Sequence, residues 1–292
     1  MCDDNTVRDT NEYLRRSGGM SRRQFGTLSA GAGLAMLLPR AANAQAVMEV
    51  DVDVQTPDGT ADCCFVHPAS GEHPGVIVWP DILGLRPAFR MMGRRLAESG
   101  YSVLVVNPFY RARRAPVVPE GASFQDPQIR NAVMPLAGAL NAGTHVTDAR
   151  AFVAFLDRQA AVDTNRKIGT TGYCMGGPIV MRTAAAVPER IGAGASFHGG
   201  GLVTNAPDSP HLLVPDMDAH FLFAIAENDD QSDPEAKNVL RRAFEAADLP
   251  AEIEVYQGAM HGWCPPDSAV YNEAQAERAW SRLLVLFGTA LG

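Results

Sequence analysis

Apolar and polar residues alternate over residues 47–55 and again over residues 61–67, and Pro57-Asp58-Gly59 stands between the two segments. Alternation with a period of two is typical of strands that bury one face, and Pro, Asp and Gly favour a turn. The pattern therefore predicts an antiparallel hairpin at the start of the folded region.

After the hairpin, short continuous apolar runs alternate with amphipathic segments. The runs predict buried parallel strands over 76–79, 101–106, 168–172, 193–197, 221–226 and 252–256. The amphipathic segments predict helices over 89–96, 146–156, 234–247 and 273–286, and a further helix that begins near Cys174. Alternating strands and helices require right-handed crossovers, so we expect one α/β domain over residues 45–292, with a mostly parallel twisted sheet and helices on both faces.

Residues 1–44 have the pattern of a twin-arginine signal peptide. Ser21-Arg22-Arg23-Gln24-Phe25 precedes an uncharged stretch over 26–38, and Ala42-Asn43-Ala44 forms a small-x-small cleavage site. The uncharged stretch is shorter than the roughly 20 apolar residues that span a bilayer, which disfavours the alternative of a retained membrane anchor. We expect export by the twin-arginine machinery, cleavage after Ala44, a periplasmic location and no stable membrane association.

Composition narrows the classes of function. The 292 residues are 46% hydrophobic and 20% charged, which is typical of a globular protein, and the formal net charge is −8. Arg111, Arg113 and Arg114 form the one tight basic cluster after residue 44, either a solvated loop or an anion site, so a nucleic-acid partner is not expected. The five cysteines include no CxxC, and no HxH or HExxH occurs, so neither a metal nor a cofactor is expected.

The hexapeptide Gly172-Tyr173-Cys174-Met175-Gly176-Gly177 lies between a predicted strand and a predicted helix. A nucleophile at such a corner has a strained backbone and tolerates only small neighbours, while the helix N-terminus helps to stabilise a thiolate. The pattern predicts a nucleophile elbow centred on Cys174. A structural glycine turn and a nucleotide loop are the alternatives, but a GxGxxG fingerprint needs glycine at position 174 and no P-loop lysine follows.

An acid and a histidine follow the cysteine in the order that an α/β-hydrolase requires. The fifth predicted parallel strand runs into Ala226-Glu227-Asn228-Asp229-Asp230, and the sixth is followed by His261 in a loop with glycines at 258 and 262. His261 is predicted to exchange a proton with the thiol, and the carboxylate to orient the imidazole. Asp229 is preferred to Asp230 because it stands three residues after Ala226.

Three other residues are candidates for lining the site. His198 directly follows the 193–197 strand and precedes three glycines, which favours a pocket-lining role, and it comes before the acid in the chain, which disfavours a role as the base. Tyr110 and Trp263 are candidates for an apolar substrate pocket, with core packing as the alternative for both.

Together these motifs resemble the dienelactone hydrolase family of the α/β-hydrolase superfamily. The resemblance covers roughly residues 47–286 and rests on Trp79-Pro80-Asp81-Ile82-Leu83-Gly84, the cysteine elbow, the acid loop at Asp229 and the glycine-flanked His261. The family opens an enol-lactone ring with a Cys-His-Asp triad, so the resemblance implies an ester or lactone hydrolase, of the carboxymethylenebutenolidase type, in which Cys174 is the nucleophile.

The resemblance also assigns roles by position. It implies an oxyanion hole formed by the backbone amides of Ile82 and Met175. Asp81 stands where the family has a glutamate that holds the resting thiol, and it is one methylene shorter. The family arginine that stands four residues after the histidine, and binds the lactone carboxylate, is replaced by Pro265.

Two functions of other classes remain as alternatives. Cys264 follows His261 by three residues, so a thiol-based redox or peroxide-reducing protein could use Cys174 with Cys264 as its resolving partner. The second alternative is a non-catalytic ligand-binding module that kept the fold. Cys63 and Cys64 are adjacent on a predicted strand and are expected to point to opposite faces as ordinary thiols, and a disulfide is left open.

Overall fold

A computed structural model describes residues 4–16 and 44–292 of the chain. Most of the predicted signal peptide, including its arginine pair, lies outside the described residues. A short 3₁₀ helix spans Pro210–Asp216. The other elements, in chain order, are α1 (Asp4–Arg16), β1 (Val47–Thr56), β2 (Gly59–Pro68), β3 (Gly75–Trp79), α2 (Pro87–Glu98), β4 (Ser102–Val106), α3 (Pro127–Gly138), α4 (Ala142–Leu156), β5 (Ile168–Tyr173), α5 (Gly176–Ala186), β6 (Ile191–Phe197), β7 (His220–Ala226), α6 (Glu227–Ser232), α7 (Ala236–Ala246), β8 (Ala251–Tyr256) and α8 (Glu273–Ala290).

The strands of the described chain form a single sheet in the order β1-β2-β4-β3-β5-β6-β7-β8. Strands β1 and β2 pair antiparallel from Val47 opposite Pro68 to Thr56 opposite Gly59, and β2 also pairs antiparallel with β4. The remaining pairs are parallel. The predicted fold class, including the antiparallel hairpin at the start, is confirmed.

Two apolar cores lie on the two faces of this sheet. One core contains Trp79 of β3 and Phe152 of α4, whose rings lie 5.5 Å apart between centroids, and it extends to α5 and α7. The other contains Phe89 of α2 together with Leu283 and Phe287 of α8. Burial of side chains of this size supplies the main favourable free energy of folding, so the sheet is a rigid platform for residues at its edges.

Several element boundaries differ from the predicted ones for local reasons. Helix α4 begins at Ala142 because Asn141 and Thr144 form a reciprocal capping box. Helix α3 was not predicted: it buries Val133 alone among its residues and contains Pro135, so it lacks a continuous apolar face.

The cysteines of the hairpin behave as the alternation predicts. Cys63 belongs to the core that contains Trp79, Cys64 belongs to the core that contains Phe89, and both are free thiols. Adjacent residues of a strand point to opposite faces, which explains this separation. In the part of the chain that the structure describes, no helix has the length and apolar character needed to cross a membrane.

Candidate active site

The carboxyl edge of the parallel strands collects the predicted site residues. Asp81 follows β3, Cys174 follows β5, His198 follows β6, Asp229 lies in α6 directly after β7, and His261 follows β8. Parallel strands deliver their carboxyl ends to the same edge of a sheet, and this is where α/β folds bind ligands. The topology therefore brings together residues that are up to 180 positions apart in the chain.

Cys174 stands at a sharp corner between β5 and α5. Its φ is 54°, in the left-handed region that a side chain rarely adopts. A Cβ on Gly172 would lie 2.2 Å from the Gly176 carbonyl oxygen, and one on Gly176 would lie 2.5 Å from the Trp79 oxygen. The two glycines are thus required by the close approach of backbone to backbone, and the corner is a strained strand-to-helix turn.

The imidazole of His261 links the cysteine to a carboxylate. Its Nδ1 donates to Asp229, at 2.8 Å from Oδ2 and 3.0 Å from Oδ1, and the ring also makes a side-chain hydrogen bond with Cys174. The Cys174 and His261 residues are only 2% and 5% exposed. A thiol, an imidazole and a carboxylate therefore form one continuous hydrogen-bonded series.

Electrostatics in this series favour a charged imidazole. Burial alone would lower the pKa of His261, but the negative charges of Asp229 and of the Cys174 sulfur outweigh it and raise the pKa to about 10. A proton that binds to the ring is thereby stabilised on both sides, as in a thiolate–imidazolium ion pair.

Neighbouring residues of the acid loop hold the histidine loop in place. The backbone N–H of His261 donates to Asn228 Oδ1 at 2.8 Å, and Gly258 N donates to Glu227 Oε2 at 2.6 Å. Asp230 instead forms an ion pair with Lys237. The geometry agrees with the choice of Asp229 over Asp230, whereas the positioning contacts of Glu227 and Asn228 were missed by the sequence reasoning.

A second charged cluster lies beside the cysteine and was also missed. Arg86, five residues after Asp81, donates to both carboxylate oxygens of Asp81 at 2.7 and 3.0 Å and to both of Asp267 at 2.6 and 2.9 Å. Asp81 also accepts the backbone N–H of Leu83 at 2.9 Å. The Asp81 carboxylate is therefore held by Arg86. The hydrogen-bond partners of its oxygens are the guanidinium and the Leu83 amide, and not the thiol that the family resemblance implies.

Of the two backbone amides expected to stabilise an oxyanion, that of Ile82 belongs to a residue lining the cavity at Cys174, and that of Met175 directly follows the cysteine. Ile82 and Met175 are buried, and Met175 is the residue that precedes α5. Among the backbone hydrogen bonds that the described turns and loops form, neither amide is a donor. Both positions are compatible with donation to a substrate oxygen.

Of the three candidate pocket residues, one lines the cavity. His198 is fully buried, and its ring lies 5.2 Å from that of His261 between centroids. Burial is the main cause that lowers its pKa to about 3, and the charge of the nearby His261 is the second. Trp263 is buried behind His198, with ring centroids 5.1 Å apart, and belongs to the core.

Tyr110 is not brought to the site, because its hydroxyl donates to Asp148 at 2.7 Å. Arg111 pairs with the same Asp148, whereas Arg113 and Arg114 are exposed, as a solvated loop would have them.

The cavity at Cys174 measures about 80 Å³ and is partly closed by helix α1. Thr6 and Thr10 of this helix line the cavity together with Cys174, and Thr10 is 4% exposed. Val7, on the same helical face, packs against the core. Ligand sites for drug-sized molecules measure about 300–1,000 Å³, so α1 leaves space for a small part of such a ligand. The prediction that residues 1–44 act as an address gave no indication of this packing.

Cys264 lies on the other side of the sheet from the cavity. It belongs to the core of α2 and α8 and lines a small apolar space with Tyr173 and Phe197. Cys174 belongs to the opposite core. The redox alternative that pairs these two cysteines is not supported. Within residues 4–16 and 44–292, no group of three or more His, Cys, Asp or Glu side chains is arranged to hold a metal ion.

The sheet order and the cysteine-bearing corner define an α/β-hydrolase fold. More narrowly, the chain belongs to the dienelactone hydrolase family, whose model matches residues 62–291. A Synechocystis sp. chain is 30% identical over 226 residues, which cover 76% of this chain and 89% of the relative. The carboxymethylenebutenolidase of Rhodococcus opacus is 27% identical over 238 residues, 78% of this chain and 87% of its own.

Solved structures show the same fold. A dienelactone hydrolase-like promiscuous phosphotriesterase from metagenomic libraries superposes with a TM-score of 0.69 at 21% identity, covering 85% of this chain and all of that chain. A dienelactone hydrolase from Anabaena variabilis superposes with a TM-score of 0.61 at 15% identity, covering 84% of this chain and 99% of its own.

Proposed function

We propose that this protein hydrolyses ester or lactone bonds with Cys174 as its nucleophile. The observation that carries the proposal is the hydrogen-bonded series from Cys174 through His261 to Asp229, at a strained strand-to-helix corner. Such a series supplies a nucleophile, a proton carrier and an orienting carboxylate within one cavity. Membership of the dienelactone hydrolase family supports the same reaction class.

In the proposed reaction, the sulfur of Cys174 attacks the carbonyl carbon and the carbonyl oxygen takes the negative charge. The amides of Ile82 and Met175 stabilise this oxyanion, an effect worth about 10²–10³-fold for each donor. The C–O bond then breaks as the His261 imidazolium gives its proton to the leaving oxygen, which leaves an acyl group on sulfur. Water gives a proton to the now neutral His261 and attacks the thioester, and the thiolate departs as the acid product is released.

Asp81 is proposed to act on this site through its charge. It occupies the family position of a thiol-holding glutamate, while its oxygens are bound by Arg86 and by the Leu83 amide. Burial raises its pKa against the opposing effect of Arg86, and the charge of Cys174 raises it further. The coupling between Asp81 and the sulfur is therefore electrostatic, and Asp81 is a positioning residue in this proposal.

The substrate is proposed at the level of esters and lactones. The name of the Rhodococcus relative denotes a butenolide with a carboxymethylene group. At the position where the family resemblance places an arginine for a substrate carboxylate, this chain has Pro265. That replacement supports the wider class over the particular lactone of the relative.

The test of the nucleophile is a pair of cysteine substitutions assayed with p-nitrophenyl acetate. Cys174→Ala should lower kcat/KM by at least about 10³-fold, because no other group supplies the nucleophile. Cys264→Ala, which removes a buried thiol on the other face of the sheet, is the matched control and should retain activity. Persistent hydrolysis by a Cys174→Ala protein with an unchanged far-UV circular dichroism spectrum would remove Cys174 from the mechanism.

We further propose that residues 1–44 direct export through the twin-arginine machinery to the periplasm. The arginine pair at 22–23 and the Ala42-Asn43-Ala44 site support this. Replacing both arginines by lysine should retain the full-length chain in the cytoplasm, as followed by cell fractionation. The exported wild-type protein should begin at Gln45 by intact mass, and recovery of an uncleaved chain in the periplasm would contradict the cleavage site.

A further inference from the structure

Arg86 is the one arginine or lysine among the residues described as lining the catalytic cavity. A guanidinium has five N–H donors. Nε donates to Asp267, Nη1 donates to Asp81 and to the Gly84 carbonyl, and Nη2 donates to Asp81 and to Asp267. All five donors are thus in use, and none is left for a carboxylate on a substrate.

The charge of this cluster is not positive in either state of Asp81. With both carboxylates ionised, Asp81, Asp267 and Arg86 sum to one negative charge, and with Asp81 protonated they sum to zero. The side chains of Arg86, Asp81 and Asp267 are 7%, 13% and 17% exposed, so solvent screens them weakly. The positive charge of His261 is matched by Asp229 and by the sulfur of Cys174. An anionic substituent would therefore meet no unmatched positive charge among the residues that line the cavity.

The polar groups that remain in the cavity are uncharged. Both ring nitrogens of His198 are buried without a hydrogen-bond partner, and the low pKa of this ring keeps it neutral. Gln125 also lines the cavity, and its Oε1 is buried without a partner. Arg130 is not among the residues that line the cavity: its guanidinium lies 6.0 Å from the centre of the Phe124 ring, and its Nη1 is buried without a partner. Imidazole and amide groups suit hydroxyl, amide or carbonyl groups on a ligand.

We propose that the enzyme takes esters or lactones whose acyl part is uncharged, and that it discriminates against the same acyl groups bearing a carboxylate. The proposal rests on the proposed hydrolase function and adds a substrate class to it. The saturated Arg86 cluster is the element that sets the discrimination, since it places two carboxylates in the lining of the cavity that the substrate enters.

The test compares two substrates that differ in one charge. Mono-p-nitrophenyl glutarate carries a carboxylate, and its methyl ester is neutral and of nearly the same shape. With the full-length protein, kcat/KM for the neutral ester should exceed that for the acid by on the order of 100-fold, since like charges that face each other disfavour binding. A ratio near one, or a preference for the acid, would overturn the proposal. Hydrolysis of neither compound, nor of p-nitrophenyl acetate, would instead refute the proposed hydrolase function.

Asp267→Asn tests the element that causes the discrimination. The substitution removes one negative charge and retains the shape, so the neutral-to-acid ratio should fall at least about tenfold through a higher kcat/KM for the acid. Glu277→Gln is the matched control: it takes a carboxylate from Arg95, which lies outside the cavity lining, and should leave the ratio unchanged.

The ratio does not depend on the fraction of folded protein, because both substrates are assayed on one preparation. An unchanged ratio in Asp267→Asn would overturn the role given to the Arg86 cluster. Preference of the wild-type enzyme for the acid, abolished by Arg130→Gln, would overturn the proposal by identifying Arg130 as a substrate-binding cation.

Discussion

Two charged clusters flank Cys174, and they differ in how their hydrogen bonds are distributed. His261 has one carboxylate partner, Asp229, and its other contact is the reactive sulfur. Arg86 has two carboxylate partners and a carbonyl, which together use all of its donors. In the proposed mechanism the first cluster passes a proton, because its histidine exchanges one between sulfur and substrate. The second is fixed by its hydrogen bonds, since no donor of Arg86 is left free, so it can shape the cavity without taking part in proton transfer.

The largest effect is expected at the carboxylate of the proton-carrying cluster. Asp229→Asn keeps the shape but removes the charge that favours the imidazolium and the group that sets the ring orientation. We expect kcat/KM to fall by about 10³–10⁴-fold, in line with the loss seen when a triad carboxylate becomes an amide. Steady-state hydrolysis of p-nitrophenyl acetate measures it.

Asp230→Asn is the control for this substitution, because it makes the same change one residue further along. Asp230 pairs with Lys237 and not with His261, so the activity of this variant should stay within about threefold of wild type, as expected for a partly exposed ion pair. Equal losses in the two variants would contradict the assignment of Asp229.

The fixed cluster should matter more for stability. Arg86→Met leaves Asp81 and Asp267 in a buried site without their cation, and breaking a buried ion pair in this way costs about 3–5 kcal/mol in the free energy of unfolding. Urea denaturation measures the change. Arg114→Met removes an exposed arginine that pairs with Asp53 and should leave the free energy of unfolding nearly unchanged. Adding Asp81→Asn and Asp267→Asn to Arg86→Met should recover much of the loss, and failure to do so would point to lost packing as the cause.

The pH dependence distinguishes a protonated from an unprotonated histidine in the active enzyme. The pKa of His261 is raised to about 10, so the ring carries its proton throughout neutral pH and loses it above that value. If the imidazolium is the active form, kcat/KM should fall by about tenfold per pH unit above pH 10. A rate that instead rises through this range would mean that the neutral ring acts as the base on a thiol.

The same titration can be followed directly by NMR of the His261 ring protons. The midpoint should move to lower pH in Asp229→Asn, because the charge of Asp229 is one cause of the raised pKa. An unchanged midpoint would show that the carboxylate does not set the protonation of the ring.

The sequence predicted the fold well where burial is periodic and local. The parallel strands are continuous apolar runs, and the hairpin alternates around Pro57-Asp58-Gly59, so both were predicted to within a few residues. Helix α3 escaped prediction because its stability does not come from an apolar face, with Val133 its single buried residue. Patterning reports burial, and elements held by little burial leave little pattern.

The residues of the candidate site also divide into those that a local pattern predicts and those that it does not. Cys174, Asp229 and His261 were predicted because each follows a strand, and strand ends meet at one edge of the sheet. The Arg86–Asp267 pair joins positions 181 residues apart on two loops, and no local pattern links the two residues. An arginine soon after Asp81 was a usable signal for a partner of that carboxylate. Asp267, the second carboxylate partner of Arg86, could be found only from the structure.

The smallest expected effect concerns helix α1, which closes the cavity from outside while both charged clusters close it from within. Thr10→Arg puts a long charged side chain at a buried position of the helix and should displace α1 from the cavity. In the full-length chain, kcat/KM for p-nitrophenyl octanoate should rise roughly three- to tenfold, as the fraction of molecules with an open cavity increases, with a smaller rise for the acetate. Asn11→Arg adds the same charge at an exposed position of the same helix and should leave both rates unchanged. Equal rates in all three proteins would show that α1 does not obstruct the substrate, and a loss for both esters in Thr10→Arg alone would show that the helix contributes to the site it covers.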